Sequence, residues 1–135
     1  MTIQMSDAVR NALLNAIEVT IGASAKLKIR TGAQPAACVT ADAGTVLASL
    51  DLDADWMNDA ATGSKTFKGT WTDASADNPG TAAHFRLYAT DGATCGMQGS
   101  ITATGNGGDM TLDNIVLTAG QSFSITAFTL TAPGA

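Results

Sequence analysis

A chain of 135 residues with a formal charge of −5, only 14% charged residues and two cysteines has the length of one domain, enough to bury roughly two-thirds of its unfolded surface. No run nears the ~18 consecutive apolar residues of a membrane span, and the start MTIQMSDAVRN has no apolar stretch behind a basic one. Neither a membrane helix nor a signal peptide is therefore expected, and folding in a cytoplasm is. The seven Lys and Arg residues are scattered over Arg10, Lys26, Lys28, Arg30, Lys65, Lys68 and Arg86, whereas a phosphate backbone is held by clustered cations, so nucleic acid and membrane are not expected partners.

In chain order, the first element is a helix over about residues 6–21. Ser6 or Asp7 can cap it, Val9, Leu13, Ala16, Ile17 and Ile21 recur every three to four residues, and Gly22 supplies the stop. The rest of this helix is polar (Arg10, Asn11, Asn15, Glu18). Its narrow apolar stripe predicts docking on a sheet or on a neighbouring subunit, with Val9, Leu13 and Ile17 as candidate contacts.

From Lys26 the period changes to two, the mark of strands. Leu27 and Ile29 alternate with basic residues. Val46, Ala48, Leu50 and Leu52 alternate with Ser49, Asp51 and Asp53; Phe67 and Trp71 follow. Trp56 and Met57 stand where a strand meets a loop, as a core plug or as an exposed anchor for a partner, and join the candidate interface residues. Ala83, Phe85 and Leu87 alternate with His84, Arg86 and Tyr88; Cys95 to Ala103 alternates with Gln98, Ser100 and Thr102. MTLDNIVL and SFSITAFTL close the chain, and in the latter Phe128 and Leu130 fall out of phase with Phe123 and Ile125, predicting a bulge or a second buried face. About seven short strands between frequent turn clusters predict an all-β fold. It is expected as a β-sandwich or jelly roll over about 26–131 with one N-terminal helix, one domain across 1–135.

Chemistry is thinly represented. GNGGDM, Gly105 to Met110, lacks the lysine of a phosphate loop and the third glycine of a dinucleotide fingerprint, so a hairpin turn is expected there. Asp51, Asp53, Asp55 and Asp59 occupy positions one, three, five and nine of an EF-hand-like loop, a weak calcium candidate. Trp56 stands at the sixth position in place of the turn glycine, and Thr62 at the twelfth in place of the bidentate glutamate. The single histidine, His84, has no nucleophile motif beside it and is expected at solvent or an interface. Cys38 and Cys95 show neither zinc nor dithiol spacing and are expected as reduced, buried thiols, with a later disulfide as the alternative. Trp71 and Tyr88, with the Gln98/Ser100/Thr102 face, would suit a sugar platform if exposed, though core positions are the default for so few aromatics. No catalytic residue and no cofactor is expected.

Charged residues fall short of the about 25% of an average protein. A surface of Thr, Ser, Asn and Gln is easily desolvated, which favours a chain docked on a partner. IQMSDAVRNALLNAIE, IGASAKLKIRTGAQPAAC, KGTW, HFRLY, GDMTLDN and ITAFTLTA together resemble, over nearly the whole chain, a group of small proteins encoded by tailed bacteriophages. The resemblance implies a virion component, made in the bacterial cytoplasm and assembled in many copies. It would be a capsid decoration or cement protein, or a tail, neck or fibre component, with the major capsid protein or tail proteins and further copies of itself as partners. A host-surface carbohydrate-binding module is the rival of a different class.

Overall fold

The computed structural model describes residues 3–135. Helix α1 (Asp7–Ile21) starts at Ser6, whose hydroxyl accepts the Val9 N–H, and stops at Gly22, where φ is 100°. The strands are β1 (Lys26–Arg30), β2 (Val46–Asp51), β3 (Ser64–Thr66), β4 (Thr72–Asp73), β5 (Gly80–Thr81), β6 (His84–Tyr88), β7 (Cys95–Ala103), β8 (Met110–Leu112), β9 (Val116–Leu117) and β10 (Phe123–Thr131). The fold is all-β with one N-terminal helix. The strands number ten rather than about seven because expected runs break. MTLDNIVL divides into β8 and β9 where the Asn114 carboxamide accepts the Val116 N–H, a local turn that competes with the ladder.

An eight-stranded sheet runs in the order β2-β1-β6-β7-β8-β10-β3, with β4 also paired to β10; β5 and β9 form a separate pair. Phe85 on β6 meets Phe128 on β10 edge to face, their centroids 5.4 Å apart, although β7 and β8 lie between these strands in the sheet. The sheet must therefore curl until its inner face meets itself, which makes it sandwich-like. Trp71 stacks at a tilt against Trp56, Phe67 and Phe128 and fills the interior.

Two bulges explain where strict alternation fails. The β1/β2 register shifts between Ile29 and Arg30, so Leu47 and Ala48 are both fully buried. The β10/β8 register shifts between Ile125 and Ala127, which brings Phe128 back inside and accounts for the predicted phase change.

The glycine loop does not make the expected hairpin. Strands β7 and β8 pair in parallel, Ile101 opposite Met110 and Ala103 opposite Leu112. After Ala103 the chain turns through Gly105 and Gly107, with φ of 87° and 81°, and comes back alongside β7. The Gly108 N–H then donates to the Thr102 hydroxyl, and the Asp109 carboxylate accepts both the N–H and the hydroxyl of Ser100 at 2.9 Å. Asp109 pins the returning chain, so β8 restarts in the direction of β7. A Cβ on Gly108 would come within 2.8 Å of the Thr102 backbone nitrogen.

Candidate functional site

Helix α1 binds the sheet with a mixed face, apolar at Leu14 and Ile21 and polar at Arg10, Asn11, Asn15 and Glu18. Arg10, Leu14 and Ile21 are its buried residues, whereas Val9 and Leu13 are each 48% exposed. Arg10 Nη2 donates to the Ala132 carbonyl at 2.9 Å, and Gly63, with no side chain, lies directly under the guanidinium. The Asn11 carboxamide oxygen accepts the Gly63 N–H, and that of Asn15 accepts the Ala60 N–H, both at 2.9 Å. Glu18 Oε1 accepts the N–H groups of Trp56 and Met57 at 3.0 and 3.1 Å.

At the centre of this seam lies Lys65, its side chain only 1% exposed. Its ammonium sits 3.1 Å from Glu18 Oε2 and donates to Asn15 Oδ1 and the Asn58 carbonyl, each at 2.9 Å. A buried ammonium is tolerable only when it is paired and its donors are used, and here both conditions are met, with one carboxylate and two further acceptors for three N–H groups.

With these polar residues turned inward, the first half of the apolar stripe lies outside, while Ile21 enters the core. Val9 and Leu13 face solvent, Ile17 is half-buried, and Ile3 nearby in sequence is 70% exposed. Beside them Leu13, Ala16, Ile17, Thr20, Ile21 and Gly96 line a mainly apolar groove of about 260 Å³. Gly96 on β7 makes the close approach, because a Cβ there would fall on Ile21. Trp56 and Met57, the other candidate interface residues, are 0% and 1% exposed. They plug the core; the Trp56 indole N–H ends on the Gly22 carbonyl, so neither is offered to a partner.

A second polar cluster covers the outer face of β1, β6 and β7. The loop from Thr31 to Thr45 folds back over it and brings Asp42 to Arg86 Nη1 at 2.8 Å, Arg30 Nη2 at 2.9 Å and the Tyr88 hydroxyl at 2.6 Å. Arg86 also donates to the Ala37 carbonyl and to Gln98, which in turn donates to the Pro35 carbonyl. Burial pushes the Asp42 carboxyl up, but the hydrogen bonds from Tyr88 and Arg86 and the charge of Arg30 hold it below its ordinary value.

His84, expected at solvent or an interface, is instead fully buried within the chain under this loop, with Nδ1 on the Gly32 carbonyl at 2.8 Å. Burial lowers its pKa from 6.5, against the opposing pull of that hydrogen bond. Cys38 and Cys95, expected as reduced and buried, form a disulfide between half-buried residues with Cα atoms 5.4 Å apart. It ties the loop to the start of β7, and the loop's return over the sheet is what brings together residues 57 positions apart.

The spaced aspartates do not converge. Asp51 pairs with Lys26 at 2.7 Å, Asp55 pairs with Lys68, and Asp53 and Asp59 are exposed. Asp51 and Asp53 line a polar cleft of about 220 Å³ with Asp73, yet no group of three metal-ligating side chains occurs among the described residues. Asp51 ends β2 and the other three lie in the irregular segment that follows, so linear EF-hand spacing does not translate into a cage.

Trp71 and Tyr88 are 4% and 1% exposed, and Gln98, Ser100 and Thr102 are engaged by Pro35, Asp109 and Gly108, which removes the proposed sugar platform. All seven cations are engaged as well, six in ion pairs and Lys28 on the Gly92 carbonyl over the Tyr88 ring.

No protein-family model matches this chain, and no curated protein or solved structure matches it. No motif announces the helix seam or the Asp42 clamp, because their members are single polar residues far apart in the sequence. One signal was available: Lys65 shares the strand phase of Phe67, and a lysine on an inward phase requires a buried partner.

Proposed function

We propose that this chain is a virion structural protein that docks on a neighbouring subunit through the apolar side of α1, most specifically as a capsid decoration protein of a tailed bacteriophage. The outward Val9–Leu13 stripe and its groove carry the reading. A helix held by six polar or charged contacts, besides Leu14 and Ile21, leaves Val9 and Leu13 free for a partner, and burying them would supply the driving force. The sparse surface charge lowers the cost of desolvation on docking. The resemblance to small tailed-phage proteins supplies the setting.

The test is copy number in purified particles, with capsid melting followed before and after the protein is stripped. Hundreds of copies per particle and a lower capsid melting temperature on removal are the expected results. A few copies confined to the tail would replace decoration with a tail or neck role, and absence from particles would end the virion reading.

A further inference from the structure

We propose that Lys65 and Asn15 are the partners of an intramolecular isopeptide bond, formed with Glu18 as the proton-transfer group, that welds α1 to β3. The reaction needs an amine held out of water, a carboxamide within reach, a carboxylate to move protons and a donor for the oxyanion. All four converge here. The Lys65 amine, almost wholly buried, lies 2.9 Å from the Asn15 carboxamide oxygen, and Glu18 Oε2 lies 3.1 Å from the same nitrogen. The Ala60 N–H donates to Asn15 Oδ1 at 2.9 Å, which identifies that atom as oxygen and supports charge developing on it. Glu18 Oε1 is fixed by the Trp56 and Met57 N–H groups, so Oε2 is the oxygen turned to the lysine. The two buried arginines of the Asp42 clamp have no such option, because a guanidinium does not give up its proton.

The steps balance without an oxidant or a cofactor. Glu18 takes a proton from the Lys65 ammonium, and the freed nitrogen lone pair attacks Asn15 Cγ while the carbonyl electrons move to Oδ1. Glu18 delivers its proton to Nδ2 and takes the surplus proton from Nζ; the carbonyl re-forms as the Cγ–Nδ2 bond breaks, and the departing ammonia takes the proton from Glu18 and leaves as ammonium. A lysine ammonium and a carboxamide have become a secondary amide and ammonium, and Glu18 ends ionised as it began. The product no longer keeps a full charge at Lys65, which gives the reaction a direction once the helix has docked. Asn15 is only half-buried, so ammonia has a way out.

The experiment is intact mass spectrometry and tryptic mapping of the full chain, folded, reduced and then denatured. The expected mass is that of the sequence less one ammonia, with the Asn11–Lys26 peptide joined through Lys65 to a peptide running from Thr31 to Lys68. Lys65→Arg should restore the full mass. Asn15→Asp should link with loss of water and reach the same mass as linked wild type. Glu18→Gln, which keeps an oxygen for Trp56 and Met57, should fold and stay unlinked. A folded wild-type chain at full mass, cleaved by trypsin after Lys65, overturns the proposal. So does an ammonia loss that persists in Lys65→Arg, since it would then arise elsewhere, as at Asn106–Gly107. Linking of Glu18→Gln to the wild-type extent overturns the role given to Glu18.

Discussion

Two segments cover the sheet, and both are held by charge, yet by opposite means. Helix α1 lies on a buried, balanced pair, one lysine to one glutamate, with backbone N–H groups and carbonyls taking up the rest. The Thr31–Thr45 loop is held by two guanidiniums on a single carboxylate that is 42% exposed, and it carries a disulfide besides. In the helix seam the Lys65 ammonium uses all its donors, and Arg10 Nε alone of the seam's buried side-chain nitrogens lacks a partner among the described residues. The loop clamp has surplus positive charge, is wet at Asp42, and depends on a covalent tie. Polar side chains can thus face inward where nearly all their donors have partners, and apolar residues such as Val9 and Leu13 are then left at the surface.

The sharpest way to break the comparison is Glu18→Ala, which strips a buried ammonium of its counter-ion and leaves the Trp56 and Met57 N–H groups unpaired. A loss of about 5 kcal/mol in urea unfolding is expected. Removing the disulfide with Cys38→Ser and Cys95→Ser should cost about 4 kcal/mol, the chain-entropy value for cross-linked residues 57 positions apart, with the helix seam unaffected. Asp42→Asn should cost less, about 1–2 kcal/mol, because the carboxylate it replaces is part-solvated; protease cleavage within the loop reports it.

The loop cluster alone should respond to mild acid. His84 has its folded pKa below its ordinary 6.5, so the unfolded chain takes up a proton first as pH falls. Stability is therefore lost downward from pH ~6.5, and a His84→Gln variant should show a flatter melting profile over that range. Asp42, also lowered, adds its contribution at the unfolded carboxylate value and above, and loses it only as pH falls through the folded value. The clamp itself should thus hold through the window in which His84 titrates.

Strand positions were largely legible in the sequence because period-two alternation reports directly on burial, and even the β10 bulge was visible as a phase change at Phe128. The helix was legible in extent but not in orientation. Binary patterning assigns apolar residues to the inside, and α1 departs from this at Val9 and Leu13 because the partners of its polar residues, Lys65 and the backbone of residues 56–63, lie 38 to 52 positions away. The parallel β7/β8 pair was hidden for a similar reason. Glycines announce a turn, but only the Asp109–Ser100 contact decides that the chain turns twice. His84 and the cysteines were misplaced because nothing local foretells that a loop will cover the outer face of β6.

The smallest effect on stability is expected where α1 presents Val9 and Leu13 to solvent while its polar residues hold it to the sheet. A Val9→Asp, Leu13→Asp variant should unfold within about 0.5 kcal/mol of the parent, since both positions face solvent. The same variant should fail to be incorporated into particles. A chain that no longer folds would mean the stripe lies inside, and a chain incorporated at the parental level would mean the stripe docks on nothing; either result contradicts the account.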